Sequence, residues 1–356
     1  MTKKNISDTH HNTSWLQRVL ENIWYKQGQG KCLLLPLTFL YCAVHSFQRW
    51  KLTRKRSKLP LPVIIVGNIS IGGTGKTPAV IYLARLLAEA GYKPAIITRG
   101  YGGKATQWPQ DVVKESNAID VGDEPVLMAR HTGLPVVAGA DRCLDIQLLC
   151  SKYNCDVIVS DDGLQHYQLH RDIEIVLIDS ERQLGNGWCI PAGPLRESSH
   201  RLKNVDFVLF NSGSQNERQR NQAFIHQHQI KSAFSMCLSG NIIHSIADAH
   251  EQQGLDNLQG KLVHAVTGIG NPQRFYQTLE KAGIKLIKHS FPDHHVFTQD
   301  ELEFNDEKTI IMTEKDAVKC QRFSLGNVWY LPIEAQLEEG FDALLLDKLR
   351  YIVEKK

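Results

Sequence analysis

A chain of 356 residues, 42% of them hydrophobic and 22% charged, has room for two domains and enough apolar side chains to bury a core, which excludes an intrinsically disordered protein. A formal net charge of +3 is too small to make nucleic acid the expected partner, and no obligate protein partner is inferred. Eight cysteines are scattered without a C-x-x-C pair or a metal-ligand spacing, the pattern of reduced thiols in a protein facing the cytosol rather than of a disulfide framework or a zinc site.

The polar first stretch, with His10 and His11, reads as a tail. Residues 32–47 then form a 16-residue run without a formal charge, which also contains Pro36 and His45. Crossing a bilayer takes about 20 apolar residues. Arg49, Lys51, Arg54, Lys55, Arg56 and Lys58 follow at once, as expected beside anionic headgroups on the cytoplasmic side of a membrane. A cleaved signal peptide fits poorly, because the apolar run starts late and lacks a small-residue cleavage site. The expectation for residues 1–58 is a tail and a membrane-embedded or interfacial helix with a basic flank, and an ordinary buried helix is the competing reading.

From Leu61 the pattern becomes strand, loop, helix, repeated. Residues 62–69, 94–98, 135–138, 156–160 and 174–178 are short apolar runs that predict strands. Helices are predicted over 78–90, with Val80, Leu83, Leu86 and Leu87 on one side, and over 141–152. Continuous apolar strands alternating with helices imply a parallel sheet covered on both faces. A second series over 207–210, 262–267, 285–291, 309–312 and 328–331 predicts another set of strands, and the polar stretch 211–229 reads as a loop or an exposed helix. The domains expected are residues 59–200, a smaller α/β lobe over 201–335 across a cleft, and a C-terminal helix over 336–356 that packs back on the first lobe.

The first of these strands runs into Gly67-Asn68-Ile69-Ser70-Ile71-Gly72-Gly73-Thr74-Gly75-Lys76-Thr77, and Pro78 suits the first turn of the helix that follows. Glycines let backbone N–H groups converge on phosphate oxygens, and a helix N-terminus favours negative charge there. Ser70, Ile71, Gly72, Gly73, Thr74, Gly75, Lys76 and Thr77 are therefore expected to bind ATP, with Lys76 on the β- and γ-phosphates and the Thr77 hydroxyl on Mg²⁺. The Walker pattern asks for glycine where Ser70 stands; Gly72 and Gly73 would supply the freedom. The apolar run 157–160 delivers Asp161 and Asp162 at its C-terminal end, where open α/β sheets bind ligands. Thr77, Asp161 and Asp162 form the expected metal set, although a turn acid before Gly163 would explain either aspartate alone. The fold class implied is a P-loop NTPase-like parallel sheet with helices on both faces.

Segments 66–78 (VGNISIGGTGKTP), 98–103 (TRGYGG), 121–125 (VGDEP), 138–142 (AGADR), 160–167 (SDDGLQHY), 191–197 (PAGPLRE), 291–294 (FPDH) and 313–319 (TEKDAVK) together resemble the tetraacyldisaccharide 4′-kinase family of lipid A biosynthesis. That resemblance implies transfer of the ATP γ-phosphate to the 4′-hydroxyl of a tetraacylated glucosamine disaccharide 1-phosphate, a glycolipid, at the cytoplasmic face of the bacterial inner membrane. It makes Asp123 the base that takes the hydroxyl proton, where the residues alone would equally read a helix N-cap. It makes His294 the partner of Asp123, with His295 next door as the rival ring, and Lys76 the cation that follows the moving phosphoryl group. Arg99, Arg142 and Arg196 become candidate cations for substrate phosphate, with Glu197 beside Arg196 in its matched segment. Tyr101 is expected to stack on a sugar face, and Gln165 and His166 to contact nucleotide or metal-bound water.

The competing function is a membrane-side ATPase or GTPase switch or chaperone without a small acceptor. Common guanine sites carry Asn-Lys-x-Asp, which Thr313-Glu314-Lys315-Asp316 matches only in part. A binding module with a vestigial nucleotide site would not need Lys76, Thr77, Asp161 and Asp162 together.

Overall fold

The computed structural model describes residues 15–26, 30–56, 59–212, 215–248, 250–323 and 326–356. His10, His11 and Lys58 lie outside the described residues. The chain divides into two compact units. One comprises Val19–Ser239 and Glu334–Lys356; the other is Gly240–Ile333, to which the described residues before Val19 are also assigned.

The first unit is built on a nine-stranded sheet. Across it lie Glu334–Leu337, Ala233–Ser239, Phe207–Asn211, Ile173–Asp179, Val63–Gly67, Val157–Asp161, Pro94–Thr98, Val136–Ala138 and Gln110–Val112. The inner strands are all parallel, and one antiparallel strand closes each edge. Every residue of the central strand Val63–Gly67 is buried, as expected of a parallel strand with both faces covered. The helix Lys76–Glu89 covers one face through Ala79, Val80, Leu83, Ala84 and Leu87. This confirms the P-loop NTPase-like α/β class.

The boundary after residue 200 requires correction, because Phe207–Asn211 and Ala233–Ser239 extend the first sheet before the chain leaves it at Gly240. The polar stretch after Asn211 contains the helix Gln215–His228. The C-terminal helix Phe341–Glu354 belongs to the first unit, where the ring of Phe341 meets Phe207 and Phe234 edge-on.

The apolar run near the N-terminus forms part of the helix Lys31–Thr53, which also takes in Arg49 and Lys51. It is not a buried helix, since Thr38 is its one buried residue and Leu33, Leu37, Phe39, Leu40, Val44, Phe47 and Trp50 are exposed. No helix among the described residues is long and apolar enough to cross a membrane.

The second unit holds a six-stranded sheet in the order Gln252–Gly254, Ile242–Ser245, Val328–Leu331, Ile310–Thr313, Leu262–Thr267, Lys285–Ser290. Alternation along its strands sorts the core onto two faces. Val263 and Ala265 pack with Phe275, Tyr276 and Leu279, while Val266 and Met312 pack with Phe297, Ala317 and Cys320.

Candidate active site

Val66 pairs with Asp161 on adjacent parallel strands, so the loop after Gly67 and the two acids leave the sheet at the same, C-terminal end of its strands. Asn68 shapes that loop from within. Its Nδ2 donates to the carbonyls of Ser70 (2.7 Å) and Gly72 (3.3 Å), and its Oδ1 accepts from Lys76 Nζ at 3.4 Å. Gly75 precedes the helix with φ +90°, and a Cβ there would meet Asn211 Nδ2 at 2.9 Å, so conformation and space both demand glycine. Ser70 is not left-handed; it bridges to Leu195, which is why the Walker glycine is dispensable at this position. Ile71 N donates to Pro194 O (2.9 Å) and Arg196 N to Ile69 O (2.7 Å), so the stretch 194–196 runs beside the loop like a splint. Thr77 is the second residue of the helix.

The two acids differ in state. Asp161 is fully buried; its Oδ2 accepts from Thr98 Oγ1 at 2.9 Å, and its Oδ1 has no hydrogen-bond partner. Burial, with the charges of Glu124 and Asp162 nearby, pushes its carboxyl up to about 7 against the pull of Lys76. Asp162 lies 3.6 Å from Lys76 Nζ and 3.1 Å from Arg196 Nη1. Burial alone would raise it, but Lys76, Arg196 and Arg142 bring it below the ordinary carboxylate value. Thr74 Oγ1 is a second buried atom without a partner, facing nothing that the protein itself supplies. Groups of three or more His, Cys, Asp or Glu able to hold a metal are absent among the described residues. A Mg²⁺ site needs no such group, since the ion keeps several waters and takes only one or two carboxylates beside substrate phosphates.

Asp123 is the first residue of the helix Asp123–Thr132 and is 3% exposed, while Gly122 holds the cap position. Its Oδ1 accepts from the Glu124 N–H at 2.9 Å. Gly122 has φ +98°, and a Cβ there would come within 2.8 Å of the Tyr101 carbonyl. The glycine-rich turn after Pro94–Thr98 is thereby packed against the start of this helix, which brings Arg99 and Tyr101, both exposed, to the neighbourhood of Asp123.

Other predicted contacts turn inward. Arg142 is 2% exposed; its Nη1 donates to Gly139 O at 2.6 Å and its Nη2 to Asp161 O at 3.0 Å, with Asp145 at 3.3 Å. It braces the strand that carries Asp161. Glu197 is likewise buried, taking Gln165 Nε2 at 2.8 Å and Tyr167 Oη at 3.0 Å. Gln165 also donates to Asn68 O at 3.1 Å and accepts from Arg196 at 3.4 Å. Burial, with Arg142 and Arg99 nearby, pushes His166 down to about 4, so its ring is neutral at physiological pH. Sequence reasoning gave Asn68 no role, although its place directly after a buried strand and inside the phosphate loop was a signal.

In the second unit, His294 has φ +60°, donates its N–H to Gly268 O at 3.2 Å, and holds its Nε2 3.4 Å from Lys315 Nζ. The His295 ring is bound to Glu301 at 3.1 Å and stacks on Phe291. Asp316 is fully buried; it accepts from Gly268 N at 2.8 Å, Thr313 Oγ1 at 2.6 Å and Lys319 Nζ at 2.8 Å. The segment Thr313–Lys319 therefore organises the turn next to His294 instead of presenting a base-reading side chain.

A family model described as LpxK, tetraacyldisaccharide-1-P 4′-kinase, matches residues 30–350. A tetraacyldisaccharide 4′-kinase of Methylobacillus flagellatus is 44% identical over 343 residues, covering 95% of this chain and 98% of the relative. Another, of Alkalilimnicola ehrlichii, is 46% identical over 308 residues, covering 86% and 88%. Among solved structures, the "apo" form of LpxK from Aquifex aeolicus in complex with ATP is similar with a TM-score of 0.70 at 30% identity, covering 91% of this chain and 99% of that one.

Proposed function

The chain belongs to the tetraacyldisaccharide-1-P 4′-kinase family, and from that premise we propose that it moves the γ-phosphate of ATP to the 4′-hydroxyl of a tetraacylated glucosamine disaccharide 1-phosphate, in lipid A biosynthesis. The observation that carries the reading is the buried, partnerless Asp161 Oδ1 behind a phosphate loop whose lysine already faces Asp162. Those atoms fit a divalent cation bound with the nucleotide. Thr77, Asp161 and Asp162 would hold Mg²⁺, which neutralises phosphate charge when bound.

The protein's own groups do the remainder. Lys76 holds the transferred phosphoryl group, while the glycine-shaped loop from Ser70 to Thr77 cradles the others. Asp123 takes the proton from the acceptor hydroxyl, and for His294 the family resemblance implies a part in the reaction. Arg99, Tyr101 and Arg196 orient the acceptor, whereas Arg142, Glu197 and Gln165 hold the loop and acids in place. His166, neutral, is available as a hydrogen-bond partner to nucleotide or water.

We place the enzyme on the cytoplasmic surface of the inner membrane. The exposed row of Leu33, Leu37, Leu40, Val44 and Phe47 would rest in the bilayer interface, with Arg54 and Lys55 among the headgroups. Incubating the purified protein with Mg·ATP and the disaccharide lipid should add the mass of one phosphate to the lipid. ATP hydrolysis that leaves the lipid unmodified would favour the nucleotide switch instead.

A further inference from the structure

The N-terminal helix Lys31–Thr53 has two working sides, and the side away from the exposed row is tied to the phosphate loop. Thr38, Tyr41, His45 and Arg49 follow a spacing of three, four and four residues, which places them along one face. Thr38 Oγ1 donates to Cys189 O at 3.2 Å and accepts from Ala192 N at 3.0 Å, and Thr38 is buried. Tyr41 Oη donates to Arg196 O at 2.6 Å, and His45 Nε2 lies 3.1 Å from Tyr167 Oη. Arg49 reaches Glu197 at 3.9 Å. Each contact ends on the stretch 189–197 or on the Tyr167–Glu197 pair.

The same stretch splints the loop. Its Pro194, Leu195 and Arg196 backbone groups meet Ile71, Ser70 and Ile69, and the Arg196 side chain meets Asp162. A single layer of chain thus separates the helix from the atoms that hold nucleotide. Its two faces differ in chemistry, polar toward the splint and apolar toward the outside.

We propose that this seam makes nucleotide affinity depend on the helix: Thr38 and Tyr41 are positioning residues that hold the 189–197 stretch, and through it the phosphate loop, in the conformation that binds Mg·ATP. The helix is then a working wall of the nucleotide site as well as a membrane contact. The inference rests on the kinase reading above, but its readout needs no lipid acceptor.

The test titrates a fluorescent, non-hydrolysable ATP analogue with Mg²⁺ into full-length protein in detergent micelles. Thr38→Val keeps the shape of the side chain and removes both bonds, Thr38→Ser keeps the hydroxyl, and Tyr41→Phe removes one bond. Loss of one or two such bonds should weaken analogue binding by about three- to tenfold in Thr38→Val and Tyr41→Phe. Thr38→Ser should restore it. In turnover assays KM for ATP should rise in the two weakened variants while KM for the lipid holds. Leu40→Ser, on the exposed row, should reduce sedimentation with phosphatidylglycerol vesicles and leave analogue binding in micelles unchanged.

Unchanged analogue affinity in both Thr38→Val and Tyr41→Phe, beside normal binding by wild type, would overturn the seam and leave the kinase reading intact. Absence of binding by wild type would overturn both. Should Thr38→Val fail to fold, Tyr41→Phe, which loses only a hydroxyl, decides alone.

Discussion

In the first unit, two groups of charges are withdrawn from water and wired differently. Glu174 accepts from Arg171 at 2.9 Å and also from Arg201, and burial, which alone would raise it, is outweighed by those arginines, so it lies below its ordinary value. Glu197 has partners on both oxygens. Asp161, equally buried, keeps one oxygen without a hydrogen-bond partner and is raised to about 7. The carboxylates of the first group close their bonds within the protein and act as framework. Asp161 leaves a bond open beside a phosphate loop, where a bound cation would meet it.

The contrast is broken first by the charge that joins loop and acid. Lys76→Ala should lower turnover on the order of 10³-fold or more, since it removes stabilisation of the moving phosphoryl group, while the loss of its long contacts to Asn68 and Asp162 should change thermal unfolding little. Near-normal turnover would dissolve the distinction. Asp123→Asn should cost about 10²–10⁴-fold in kcat with KM for ATP little changed. The double variant with His294→Ala should be scarcely worse than the poorer single one, because groups acting as a unit are not additive. Full activity of Asp123→Asn would leave Asp123 as an ordinary residue of the first helical turn.

On the framework side, Glu174→Ala leaves two buried guanidiniums short of a carboxylate. It should cost about 3–5 kcal/mol of stability in denaturant titrations, with kcat of the folded enzyme near wild type. The smallest effect is a pH slope. Asp161 keeps its proton to about 7 in the native protein and loses it near 3.8 when unfolded, so the native state binds more protons between those values. The contribution of Asp161 to the stability of the ligand-free protein should therefore be fully present below about pH 4 and be lost as pH rises toward about 7; Asp161→Asn should remove this component from the pH profile. Mg·ATP affinity should rise over the same interval, since a metal favours the ionised carboxylate. Calorimetry across that range checks both signs.

Local pattern carried the nucleotide side of the molecule well. The strand before the loop, the glycines and the helix after it are neighbours in sequence, and periodicity reports neighbours faithfully. It could not report which sheet a strand joins, so the strand expected at 207–210 falls in the first unit and not in the second, and Ala233–Ser239 lies where no strand was expected. Nor could it report burial of a charge. Arg142 and Glu197 read as substrate contacts because both sit in matched turns, yet their side chains close on carbonyls, an amide and a phenol inside the fold. The helix Lys31–Thr53 combines both limits. Its apolar content was plain, but the seam through Thr38, Tyr41 and His45 depends on residues about 120 to 155 positions away.

The chain leaves the first sheet at Ser239 and returns at Glu334, and those two residues face each other as partners in one antiparallel pair. Topologically, Gly240–Ile333 is an excursion between two paired strands that holds a sheet of its own. A shortened gene joining the two strands by a tight turn would keep every strand of the nucleotide unit and lose His294 with the excursion. Such a chain should still fold and bind Mg·ATP, which calorimetry and titration with an ATP analogue would check, and should leave the lipid unphosphorylated.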